Sequence, residues 1–131
     1  MGKRATARRF AMQAVYQSEI SKINVDKALE NLFEEERTIE ETREFSRRLA
    51  EGVQSNKEEL DKSIKNLSKN WDIDRINMIN KIILRLALYE LLYEKDTPKA
   101  VVINEALELA KRYSDPESAK FINGILGSAV I

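Results

Sequence analysis

Ile82-Ile83-Leu84-Arg85-Leu86-Ala87-Leu88-Tyr89-Glu90-Leu91-Leu92-Tyr93 is the longest apolar stretch of this chain, interrupted by charge only at Arg85 and Glu90. At about 100° per residue its apolar side chains point in every direction, and Ile76 and Ile79 extend the pattern upstream. The spacing predicts a helix from about Asp74 to Glu94. A helix without a polar face has to be surrounded by other helices. The two charges argue against a membrane span, and once buried they need partners. One apolar pillar therefore predicts a helical bundle built around it.

The flanking sequence supplies the helices to enclose it. Thr97-Pro98 breaks the chain, because proline lacks an N–H and disfavours helix at the residue before it. A helix is then predicted over Lys99 to Tyr113, with Val102, Ala106, Leu109 and Ala110 as its apolar stripe. Asp115-Pro116 reads as an N-cap followed by proline at the first helical position. It opens a last helix with Ala119, Ile122, Ile125 and Leu126 inward and Gly124 permitting close approach. Upstream, Ser55 or Asn56 caps a helix carrying Leu60, Ile64 and Leu67, and Trp71 beyond it reads as a core plug. Ile39 to Gln54 carries Phe45, Leu49 and Val53, with Thr42 and Ser46 beside that stripe. Asp26 to Glu35, capped by Asp26, carries Ala28, Leu29, Leu32 and Phe33. A first helix is predicted over Thr6 to Ile20. No repeat, linker or low-complexity segment intervenes, so the expectation is one all-α domain over residues 1–131, a bundle of about seven helices.

Composition narrows the chemistry. The 131 residues contain no Cys and no His. Disulfides, thiolate metal sites and Ser-His or Cys-His nucleophile pairs are thereby excluded. No phosphate-binding glycine loop, dinucleotide fingerprint or HExxH sequence is present. Carboxylates are scattered on polar faces, so neither enzyme, cofactor nor metal is expected. The basic N-terminus is not followed by the apolar segment of a signal peptide, and a soluble cytoplasmic protein is the default expectation.

Charge is distributed unevenly in a chain with 22 basic and 22 acidic residues. Lys3, Arg4, Arg8 and Arg9 precede the first acid, Glu19. Between Asp26 and Glu44 eight acids face three bases, a net of −5 that reads as a solvated face. On the first helix Ala7, Phe10, Ala11, Ala14 and Val15 share one side. Arg9, Met12, Gln13 and Tyr16 fall opposite, with Arg8 at the edge. Cations interleaved with an accessible aromatic suit a phosphate backbone whose bases are free to stack. Tyr16 has two readings, a stacking platform for a base or a ring packed on a neighbouring helix with its hydroxyl in water.

Three segments carry a more specific resemblance. They are Arg8-Arg9-Phe10-Ala11-Met12-Gln13-Ala14-Val15-Tyr16-Gln17, then Leu84-Arg85-Leu86-Ala87-Leu88-Tyr89-Glu90-Leu91-Leu92, then Val101 to Lys111 with Lys120-Phe121-Ile122-Asn123-Gly124-Ile125-Leu126. Together, in order and along essentially the whole chain, they closely resemble the NusB family of bacterial transcription antitermination factors. The resemblance implies two helical subbundles around a long central helix, and a factor that binds the boxA element of ribosomal RNA transcripts. It implies a partner, the small-subunit ribosomal protein NusE, and a larger complex that keeps RNA polymerase from terminating early. It implies a monomer or weak homodimer. The same fold occurs at the N-terminus of an rRNA cytosine methyltransferase, but the chain ends at Ile131 and resembles the stand-alone factor.

Carried over residue by residue, the family's RNA-binding positions fall on Lys3 and Arg4 of the basic arm ahead of the first helix, on Arg8, Arg9, Gln13 and Tyr16 of that helix, and on Ser118, Lys120 and Phe121 of the last. Phe121 stands one step from the core position Ile122, so simple core packing is its alternative reading. The chain departs from the family at Asn80, where an acid is common in a region associated with NusE. A rival of another class is a protein-interaction module whose basic end binds an acidic partner.

Overall fold

The computed structural model describes residues 2–68 and 72–129. Seven α-helices are found among them: α1 (Lys3–Ser21), α2 (Val25–Glu35), α3 (Glu40–Ser55), α4 (Lys57–Leu67), α5 (Met78–Tyr93), α6 (Lys99–Tyr113) and α7 (Pro116–Gly127). A 3-10 turn at Ile73–Arg75 precedes α5. No strand occurs among the described residues. The chain divides into two compact units, residues 1–55 and 56–131. Trp71, expected as a core plug, lies outside the described residues.

In the first unit α1 packs on both α2 and α3. Phe10 of α1 meets Phe33 of α2 edge to face, with ring centroids 5.5 Å apart. The chain reverses after α1 at Lys22, which takes a left-handed conformation (φ 61°) while its N–H reaches Ser18 O. α1 and α3 run parallel, because Lys3 pairs with Glu41 near their starts and Gln54 donates to Ser18 Oγ near their ends. Between these points the buried Ser46 hydroxyl lies 3.2 Å from Ala7 O and 2.9 Å from Thr42 O, tying the two helices together. Phe45, Leu49 and Val53 are buried as their spacing predicted.

Local chemistry moves several helix starts. α1 begins at Lys3, so Lys3 and Arg4 are helical rather than an arm ahead of the helix. α2 is capped by Asn24, whose Oδ1 accepts from Asp26 N, and not by Asp26. Met12, expected on a polar face, is buried, as is Arg8. α1 is covered on more than the single apolar face that periodicity revealed.

In the second unit α5 packs on α4, α6 and α7. Ile82, Ile83, Leu84, Leu86, Leu88 and Leu91 are buried, whereas Leu92 is exposed near the end of the helix. The helix begins later than its composition predicts. Asn77 Oδ1 accepts from Asn80 N and caps it, while Asp72 Oδ1 accepts from Asp74 N and closes the preceding turn. Side chains that satisfy nearby backbone amides in this way compete with continued helix. Buried Arg85 finds its partner in Asp61 of α4. Asp115 caps α7 by accepting from Ser118 N at 2.7 Å, with Pro116 at the first helical position, as the sequence implied. Gly124 departs from its expected role: it is exposed, and a Cβ there would meet nothing within 4 Å.

Candidate functional site

The N-terminal cations all lie in the first unit, and each has a different environment. Lys3 is exposed and forms an ion pair with Glu41 at 3.3 Å. Arg4 is exposed, with its guanidinium 4.3 Å from the centroid of the Phe45 ring. Arg8 is only 6% exposed, and its guanidinium lies 5.7 Å from the same ring. Arg9 stacks over Phe10 at 4.8 Å, bonds the Glu36 carboxylate and donates to Gln13 Oε1. The acids between Asp26 and Glu44 are all exposed, as a solvated face requires, and some of them reach the N-terminal cations. Glu36 and Glu41 from that segment hold two of the four cations.

The helix start bearing Lys3 and Arg4 carries no acidic residue in its first turn. Cations there oppose the helix dipole and cost about 0.3–1 kcal/mol each. A bound polyanion would reverse the sign of that interaction. About three and a half turns further on, Tyr16 is 36% exposed, which is the accessibility its helical position predicts. Gln13 and Tyr16 follow Arg9 on α1 at the spacing of one helical face.

Ser118, Lys120 and Phe121 belong to the second unit, where α7 forms one wall of an open cleft of ≈ 960 Å³. Lys120 is exposed and Phe121 half-buried, both lining that cleft. The Phe121 ring is thus not a fully enclosed core side chain. Ser118 is buried, and its Oγ accepts from Asn80 Nδ2 at 2.7 Å and from Ser114 Oγ at 2.9 Å. Asn80 is 5% exposed, and its Oδ1 has no hydrogen-bond partner. Arg75 and Asn77 also line the cleft. Sequence reasoning did not place Arg75 or Asn77 at a site. The only available signal was their position beside the Asn80 departure.

Residues 5–130 match the model of the NusB family. The transcription antitermination protein NusB of Acetivibrio thermocellus is 45% identical over 130 residues, covering 99% of this chain and 89% of that protein. The structure of T. maritima NusB superposes with a TM-score of 0.88 at 36% identity, covering 95% of this chain and 87% of the other. A crystal structure of the antitermination factors NusB and NusE in complex with dsRNA superposes with a TM-score of 0.88 at 26% identity. It covers 96% of this chain and 94% of that chain. An all-helical fold with a cationic, tyrosine-bearing first helix thus stands among proteins of transcription antitermination. The chain belongs to the NusB family.

Proposed function

We propose that this protein binds the boxA element of ribosomal RNA transcripts together with NusE, and that the resulting assembly helps RNA polymerase avoid premature termination. The observation that carries the reading is the exposed Tyr16 ring on the helix that also bears Lys3, Arg4, Arg8 and Arg9. A relative of the same fold has been crystallised with NusE and dsRNA, which supports both partners. The cations neutralise phosphates and release counterions. Single-stranded RNA is the favoured target because its unstacked bases can reach an aromatic side chain. Tyr16 offers one platform and Phe121 another, with Lys120 beside it contacting phosphate. Gln13 sits within hydrogen-bonding reach of Arg9 and orients it. Ser118 acts through Asn80, holding the cleft wall in place rather than reading a base. Recruitment, not catalysis, is the mechanism.

Titration of single-stranded boxA RNA with and without NusE tests this reading. Binding that tightens when NusE is present is the expected result. No binding by either mixture would remove it. A second reading rests on Lys3 and Arg9, which already hold the carboxylates Glu41 and Glu36. The same face would suit an acidic helix of a protein partner. RNA affinity that does not depend on salt would favour that alternative.

A further inference from the structure

Arg9 stands among the α1 cations assigned to RNA, yet its guanidinium is already occupied. Nη2 bonds the Glu36 carboxylate, Nη1 donates to Gln13 Oε1, and the group lies 4.8 Å from the centroid of the Phe10 ring. Nε, which forms one edge of the planar group with Nη2, is buried and has no hydrogen-bond partner. Glu36 therefore fills one half of a two-donor fork. Such a fork matches two oxygens of one phosphate.

Glu36 is poorly placed where it stands. It caps the end of α2 in an extended conformation (φ −131°), and its N–H is bonded to Leu32 O. The C-terminal end of a helix repels a carboxylate. No basic residue occupies the last turn of α2, and Glu34 and Glu35 directly precede Glu36. The two partners also differ in shelter, the Arg9 side chain being 14% exposed and that of Glu36 54%. Because the Glu36 backbone is fixed to α2, side-chain rotation alone turns the carboxylate into water. Phe10 and Gln13 hold the guanidinium in place meanwhile.

We infer that Glu36 is a built-in competitor for RNA at Arg9. Its carboxylate holds the guanidinium in the free protein, and a phosphodiester that engages both Nε and Nη2 displaces it. The acidic segment thereby sets the affinity of the cationic helix. This adds regulation to the RNA-binding reading of the same site and rests on that reading.

The test titrates single-stranded boxA RNA into the full-length wild-type protein and into Glu36→Gln, Glu35→Gln, Arg9→Gln and Arg9→Gln/Glu36→Gln. Glu35 is the control for bulk charge, an exposed acid at the neighbouring position. Thermal melting of each variant verifies the fold. Glu36→Gln should bind about two- to fivefold more tightly, the range that surface ion pairs span, and Glu35→Gln should gain clearly less. Arg9→Gln should weaken binding, and in its background Glu36→Gln should add no more than Glu35→Gln adds to wild type. Equal gains in Glu36→Gln and Glu35→Gln would reduce the effect to bulk charge and overturn the competitor, as would the same gain from Glu36→Gln with and without Arg9. Unchanged affinity in Glu36→Gln, with wild type binding RNA, would overturn it and leave the RNA reading standing. Wild-type protein that fails to bind RNA would overturn both.

Discussion

Arg85 of α5 grips Asp61 of α4 through two parallel hydrogen bonds, Nε to Oδ1 at 2.7 Å and Nη2 to Oδ2 at 3.0 Å. The two ends of this pair are not equivalent. The Arg85 side chain is almost wholly buried, whereas Asp61 is 30% exposed. Removing the acid takes the bidentate carboxylate away from a buried cation. Removing the base leaves a carboxylate that water can reach.

The expected outcome is therefore asymmetric. Asp61→Ala should cost about 2–3 kcal/mol, the range for hydrogen bonds to a charged group whose partner stays buried. Arg85→Met replaces the buried ion by an apolar chain and leaves behind only the carboxylate of Asp61, which is 30% exposed and solvated by water, so it should cost less. Urea denaturation of both variants measures the difference. Equal losses would mean that Asp61 contributes no more than surface charge.

A second prediction concerns Asp26 and Glu51, which bring two carboxyl groups together between α2 and α3. The hydrogen bond that the protonated Glu51 carboxyl donates to the Asp26 carboxylate raises Glu51 above its usual 4.5, and burial and the Asp26 charge add to the rise, while Arg47 opposes it. A raised value in the folded state means that folding takes up protons. The stabilising contribution is complete below the usual value and is lost as pH rises through the raised one. Glu51→Gln mimics the protonated form. It should stabilise the protein by a few tenths of a kcal/mol at neutral pH, the scale of an exposed pair, and give no gain at pH below 4.5. Denaturant melts at the two pH values check this, and an equal gain at both would refute it.

How far the sequence disclosed these features depended on range. The bounds of α6 agree residue for residue with its predicted span, because Pro98 before it and Asp115-Pro116 after it punctuate the chain locally. The late start of α5 was hidden, since two side-chain caps, Asp72 and Asn77, outweighed a continuous apolar pattern. Tyr16 was legible as accessible because its exposure follows from helical phase alone. The burial of Met12 was not, because it depends on a second covered face of α1. The Arg9–Glu36 pair and the arginine cluster on Phe45 join residues of different helices. No short-range pattern encodes such meetings.

Tyr16 gives a third prediction. Tyr16→Ala should lower RNA affinity by roughly 1–3 kcal/mol if the ring stacks on a base, while Tyr16→Phe retains most of it. Melting temperatures should hardly move, because the ring is partly in water. Loss of stability with unchanged RNA affinity in the alanine variant would assign Tyr16 to packing instead.

The central claim is that the start of α1 engages the phosphates of single-stranded RNA, and the salt dependence of binding tests it most directly. Lys3 and Arg4 are both exposed, so Lys3→Gln/Arg4→Gln removes charge without opening the core. Affinity for boxA RNA in the presence of NusE is measured across a range of salt concentrations for this variant and for wild type. The account predicts weaker binding and a logarithmic salt slope reduced by about 1.4, roughly 0.7 for each single-strand phosphate that no longer meets a cation. An unchanged slope and affinity in a folded double variant would contradict it.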